Sequence, residues 1–399
     1  MTLLDICITA IVFLIGYNLK NFSKGASKPE KKILNQLFFF HFGIAIIFHF
    51  YISSFGGDAV HYWDAPKEMS LEAIMNVVNR GSATGLMYLI NYIPSHLLQL
   101  SFFTGNMMYA LLGYLGFVYI LRTTKYIFGD FTELAELKLF GIPIFPWIWF
   151  LPNFHFWSSG IGKDAILFFS IALFVYCLQN LRKRWLLLLI SIVVSLAIRP
   201  HIMLFLLACF GIGFTMDGSL KAYQKLFVFA VFIVGFLSIF NYVLEFIQLE
   251  SLEATAIDEY TSTRSSNLNK SRTGSGVDIT NYSFPLKAFT FLYRPLFFDI
   301  NGILAVVASI ENFILLCFSG LIFFKKPYWA FKKSTFLIKG ILLYFLLGTV
   351  AFSLILGNLG IMLRQKNMLM PWLIIFGLWT FYSFSKNKRA IYANPTGNK

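Results

Sequence analysis

Apolar runs of near-span length recur along the whole chain, and they limit its fold more than any other feature. A helix needs about 20 mostly apolar residues to cross the hydrocarbon core of a bilayer. Runs bounded by charged or turn residues lie near 3–17, 36–54, 105–121, 139–153, 164–180, 185–198, 202–216, 226–244, 302–323, 336–357 and 368–385. They predict an all-α, polytopic membrane helix bundle of about 11 transmembrane helices (10–12), with the shorter runs extending into their flanks. The stretch 84–104, interrupted by Pro94 and carrying His96, reads as an interfacial helix rather than a twelfth span or a re-entrant hairpin. Residues 1–399 then form a single transmembrane domain, with a first outer loop at 55–104 and a long outer loop at 245–301.

Charge content supports this class. Only 13% of residues are charged, against about 25% in soluble domains, which excludes a soluble globular fold. The net charge of +14 would suggest nucleic acid in a soluble protein. In a membrane protein it more often reports orientation, because short cytoplasmic loops collect Lys and Arg. With eleven spans, alternate connections hold the five Lys of 18–35, then Arg122, Lys125, Lys138, Arg182, Lys183, Arg184, Lys221, Lys225, Lys325, Lys326, Lys332, Lys333, Lys386, Lys388, Arg389 and Lys399, which is 21 of the 33 basic residues. That side is expected to be cytoplasmic, with the N-terminus outside and the C-terminus inside. No nucleic-acid partner is needed to explain these charges.

The first apolar run contains Asp5 and lacks a basic n-region or a small-residue cleavage site, so it reads as a retained span. Cys7, Cys177, Cys209 and Cys317 all lie within apolar runs and form no CxxC pair. Metal and redox chemistry are therefore not expected.

The informative cations are those on the outer side, which run against the orientation bias. The first outer loop reads Gly-Gly-Asp58-Ala-Val-His61-Tyr62-Trp-Asp, where a carboxylate and a ring meet the lipid–water boundary. Asp58 is suited to act as general base toward an attacking hydroxyl, or simply to cap a helix. A second outer connection carries Trp157 and ends in Gly-Ile-Gly-Lys163-Asp164. Backbone N–H groups opening a helix, together with a lysine, can hold an anion; the alternative is a tight turn with a mutually neutralising Lys163–Asp164 pair. Arg199-Pro-His201 joins two spans, and either cation there can reach lipid headgroups or contact phosphate. The long outer loop carries Arg264 and Arg272 and returns through Arg294, set among aromatics. Arg294 either contacts substrate or pairs with Asp299 or Glu311. Glu311 lies within a span, where an ionisable group is a functional candidate or a bond between helices. The last outer turn holds Arg364, Gln365 and Lys366.

Taken together, Asp58 and Tyr62, the Pro152, Trp157, Ser158, Gly160, Lys163, Asp164 turn, Arg294-Pro295, and Asn358, Gly360, Arg364, Gln365 form a pattern. It resembles the bacterial O-antigen or capsule repeat-unit polymerases of the Wzy type and, more widely, GT-C glycosyltransferases that use polyprenyl-linked sugars. The resemblance implies a multi-pass enzyme of the bacterial inner membrane, working on the outer face. Its partners would be polyprenyl-(di)phosphate-linked glycan, membrane lipids and other proteins of polysaccharide assembly, with no cofactor and no metal. Asp58, Arg294 and Arg364 would be catalytic. His61, Tyr62, Trp157, Lys163, Asp164, Arg199, His201, Arg264, Arg272, Glu311 and Gln365 would bind substrate. In a single-sugar GT-C transferase, Asp58 would be the base and a polyprenyl-phosphate sugar the donor. The paired Arg-x10-Gly loop signature of some polymerases is absent, since ten residues beyond Arg264 the next position is Ser275. A flippase of the same glycan is the rival of another class; it would place more polar residues within the spans and often show internal repeats. A purely structural membrane protein is the remaining alternative.

Overall fold

A computed structural model describes residues 1–22, 25–129, 131–139, 141–217, 221–247 and 275–393. The chain divides into two compact units, 1–127 with 149–203 and 128–148 with 204–399.

The first unit is built on α1 (Leu3–Phe22), α2 (Lys28–Phe55) and α6 (Phe102–Phe128). Between α2 and α6 lie three short helices, α3 (Asp58–Glu68), α4 (Leu71–Asn79) and α5 (Ala83–Asn91), the last continued by a π-helical turn at Tyr92–Leu97. Each short helix starts where the chain supplies a break or a cap: Gly57 before α3, and the Ser70 and Ser82 hydroxyls accepting from Ala73 and Thr84 N–H. Helix α6 is apolar around most of its circumference and is the most buried of the long helices, as expected of a helix with neighbours on all sides.

At one end of α6, Asp5 of α1 accepts from Ser101 N–H and Thr104 Oγ1, both at 2.7 Å, so the carboxylate satisfies groups at the opening of α6. At the other end Lys125 donates to the Glu30 carboxylate at 2.6 Å. A bent pair follows, α8 (Pro152–Ser158) and α9 (Lys163–Leu178), turned by 108°. Helix α10 (Leu181–Ile198) packs back on α9 through a serine seam, in which Ser170 Oγ donates to the Ser191 carbonyl and Ser191 Oγ to the Ser170 carbonyl. Small hydroxyl residues allow close helix approach and hydrogen bonding away from water.

The 139–153 run is not a helix, and here the expected span gives way. It forms a two-strand antiparallel hairpin, β1 (Lys138–Leu139) and β2 (Ile142–Pro143), then a 3₁₀ turn at Trp147–Phe150. Pro143, Pro146 and Pro152 each remove a backbone donor and would clash with a preceding helical turn. Gly141, at φ +83°, makes the hairpin turn that a side chain would resist. Helix α7 (Thr132–Ala135) precedes the hairpin.

The second unit contains the body of α11 (Pro200–Thr215), then α12 (Ala222–Ile247), α13 (Phe284–Tyr293), α14 (Ile303–Phe323), α15 (Pro327–Lys332), α16 (Phe336–Ile355), α17 (Leu359–Lys366) and α18 (Met370–Ala393). At one end Lys339 donates to the Met216 carbonyl just past α11, and Asp217 accepts from Phe336 N–H at the start of α16. Lys339 thus answers a helix C-terminus, and Asp217 a helix N-terminus.

Five helices, α1, α2, α6, α14 and α16, are long and apolar enough to cross a membrane. Counting α8 with α9 and α17 with α18 as single bent spans raises the number to seven. Helices α10, α11 and α12 coincide with three further expected spans. Over 84–104 the chain is helical from Ala83 to Leu97 and restarts at Phe102.

Candidate functional site

In the first unit the polar side chains gather where α3, α5 and the opening of α9 meet. Lys163 donates to Thr84 Oγ1 at 3.2 Å, and its ammonium stands 5.4 Å from the Tyr62 ring centroid. Asp164 does not neutralise Lys163 alone, as the tight-turn alternative would have it; it pairs with Arg199, Nη2 to Oδ1 at 3.2 Å. Both partners of that pair are largely buried, and His201, half-buried, follows on the first turn of α11. His61 Nε2 and the Tyr88 hydroxyl are 2.5 Å apart. Asp58 is exposed on the first turn of α3, and Trp157 is half-buried on α8 with its ring edge-on to Phe156.

Several members of this group had no place in the sequence-based expectation. Asn91 donates to the Tyr62 carbonyl and accepts from Tyr109. Asn106 accepts from Ile161 N–H, which fixes the turn before Lys163. Thr84, Tyr88 and Asn91 are spaced i, i+4, i+7 and so share one face of α5. That spacing is legible in the sequence, within the stretch 84–104 read as an interfacial helix.

The second unit holds another polar group. Arg294 takes the alternative foreseen for it, a bidentate pair with Asp299: Nε to Oδ2 at 3.0 Å and Nη2 to Oδ1 at 2.5 Å. Asp299 also accepts from Leu296 N–H. Asn312 donates to the Pro295 carbonyl at 2.7 Å and accepts from Lys366 Nζ, which also reaches the Leu292 carbonyl. Lys366 is buried, and the charge of the buried Glu311 acts on it. Asn358 accepts from Ser275 Oγ and Ile361 N–H, and its backbone bridges to Gly276. Arg364 and Gln365 are half-buried on α17, while Arg264 and Arg272 lie outside the described residues. Lys366, not Arg364, is the inward cation, because Leu359, Met362 and Lys366 form the buried stripe of α17. Among the described residues no three His, Cys, Asp or Glu side chains gather to hold a metal ion.

Burial alone would raise the Asp299 pKa, but the Arg294 guanidinium and the Leu296 N–H outweigh it and hold the carboxyl below its ordinary value. A depressed carboxylate pKa stabilises the fold above the unfolded value, about 3.9, and that contribution is lost as pH falls through the lower folded value. Asp299→Asn is therefore expected to unfold more easily than the parent chain at pH 7 in detergent. The gap should close as the pH is lowered past about 4. A gap independent of pH would show that the pair does not act through its charge.

Apolar span-length helices that enclose buried polar groups define an α-helical membrane protein. No family model, no curated protein and no solved structure matches the chain.

Proposed function

We propose that this chain is a membrane glycosyltransferase of bacterial cell-surface polysaccharide assembly. In this proposal it polymerises polyprenyl-diphosphate-linked oligosaccharide repeat units on the outer face of the inner membrane. Its eleven crossings would include the irregular 139–153 stretch, which keeps the N-terminus outside. The observation that carries the proposal is the placement of Lys163, Arg199, His61 and Tyr62 at one end of the first unit. The opposite end of the same helices holds Lys125 with Glu30 and Gln179 with Thr123, beside the basic loops attributed to the cytoplasm.

The chemistry suits a leaving diphosphate. A hydroxyl of the acceptor glycan attacks the anomeric carbon, the bond from that carbon to the diphosphate oxygen breaks, and the oxygen departs with the electron pair. Lys163, Arg199 and the N-terminus of α9 would meet that developing charge. Asp164 holds Arg199 in place, and the buried Tyr62 ring backs Lys163. Asp58, exposed at the start of α3, would take the proton of the attacking hydroxyl. The cations of the second unit suit a second lipid-linked substrate.

The test is complementation of a deletion strain, with surface glycan resolved on a ladder gel. Lys163→Ala and Arg199→Ala are each expected to lower polymerisation by about 10²-fold, the scale for removing one donor to a developing anion. Asp58→Asn is expected to abolish long chains. Single repeat units should accumulate on the outer leaflet. Accumulation on the inner leaflet would identify a flippase, and loss of one terminal sugar with normal chain length a single-sugar transferase. Normal long-chain glycan in both cation variants would overturn the site.

A further inference from the structure

We propose that His41 and His155 form a buried proton-binding site in the first unit, holding one proton more than two neutral imidazoles carry. His41 lies at the middle of α2 and His155 on α8, both fully buried. Their Nδ1 atoms are 2.9 Å apart, a hydrogen-bond distance. His41 Nε2 faces the Ala110 carbonyl at 3.0 Å, and His155 Nε2 faces the Trp149 carbonyl at 2.8 Å.

The count follows from the partners. A carbonyl oxygen only accepts, so each Nε2 must carry a hydrogen to bond it. A neutral imidazole with hydrogen on Nε2 has a bare lone pair on Nδ1. Two such lone pairs would then meet at 2.9 Å, and a third hydrogen between them turns that repulsion into an N–H···N bond. Two neutral rings supply only two hydrogens, which leaves one of the three contacts without a donor. The third hydrogen brings one positive charge, shared across the two rings.

The surroundings suit a delocalised cation. Phe117 stacks on His155 with centroids 4.1 Å apart and planes within 5°, and Phe40 meets the same ring edge-on. Aromatic faces stabilise a cation held away from water. Several other titratable groups on the packed elements are committed elsewhere. On α2, Glu30 binds Lys125 and His49 meets Asn106; on α6, Tyr109 bonds Asn91 and the Tyr114 hydroxyl donates to the Leu34 carbonyl. Arg122 and Lys125 lie near the far end of α6, and Lys163 and Asp164 open α9 beyond the bend. Of all these, only the Tyr114 ring lies against His41, with centroids 6.4 Å apart.

Loss of the third hydrogen leaves one of the three contacts without a donor, two acceptors then face one another, and the hold of α8 on its neighbours loosens. The helix that follows α8 carries Lys163 and Asp164, so proton occupancy and the geometry of that cluster are mechanically linked. The proton count itself does not depend on the proposed activity.

The experiment is nitrogen-resolved NMR on the full chain, labelled with ¹⁵N-histidine and held in lipid nanodiscs. The chain has six histidines, and within the described residues only this pair joins two ring nitrogens of different histidines, so a nitrogen–nitrogen coupling across a hydrogen bond identifies it. The expected spectrum near neutral pH shows two coupled Nδ1 nuclei sharing one far-downfield proton, with both Nε2 atoms protonated. Raising the pH should remove one of these three hydrogens, so that the pair never holds both protonated Nε2 atoms and the shared proton once it is neutral. A coupled pair with one bare Nε2 at every pH, or no coupling at any pH, would overturn the proposal.

Discussion

Replacing Lys366 with alanine is expected to destabilise the folded chain by about 3–5 kcal/mol, the range for removing one partner of a buried charge pair. The lysine ammonium reaches Asn312 and the Leu292 carbonyl and feels the charge of Glu311, a carboxylate only 2% exposed. Without the cation, the buried Glu311 carboxylate loses an attractive neighbour and its charge becomes harder to hold away from water. The loss should appear as a lower unfolding temperature and less monodisperse protein in detergent. The physical cause can be separated from lost packing by a second change. Lys366→Met with Glu311→Gln removes both charges, nearly keeps the volumes, and is expected to be milder than either single variant. A double variant no milder than Lys366→Ala would show that Glu311 does not need the lysine.

Gly113→Ala is expected to be the most damaging single-methyl change in the first unit. A Cβ at that position would lie 1.9 Å from the Ser158 carbonyl oxygen and 3.1 Å from His41 Nε2. The first neighbour is backbone, so no side chain can swing aside, and α6 and α8 must separate. Overpacking of a tight core costs about 1–3 kcal/mol and occasionally more, and a backbone clash this close belongs at the upper end. Thermal unfolding of the purified variant in detergent checks the size of the effect. Gly43→Ala, where a Cβ would meet nothing within 4 Å, is the control and is expected to be near neutral. Equal stability of the two variants would refute the close approach.

The membrane class was legible because hydropathy and charge report it directly. The long helices α2, α6, α14 and α16 fell where the apolar runs placed them. The 139–153 run misled because apolar content was weighed above Pro143, Pro146 and Pro152, whose missing donors do not let a helix continue. Arg294–Asp299, five residues apart, was open to the sequence as a local pair, whereas Asp164–Arg199, 35 residues apart, depends on how helices meet. Lys366 reads from the sequence as a cation of an outer turn; once 359–366 is a helix, the i, i+3, i+7 stripe of Leu359, Met362 and Lys366 turns it inward. The histidine pair left no local signal, since His41 and His155 are 114 residues apart.

Asp5 carries a consequence for biogenesis. Its carboxylate is satisfied by Ser101 and Thr104, the former 96 residues further along the chain. At about 5–20 residues per second, a ribosome takes on the order of 5–20 s to make that stretch. During that interval α1 sits in or near the bilayer with only Thr2 to bond its acid, and an intramembrane Asp opposes insertion by about 2.5–3.5 kcal/mol at a helix centre, less near its end. The first helix is therefore expected to hold its place provisionally until α6 emerges, so that the order of synthesis, and not hydropathy alone, completes its anchoring.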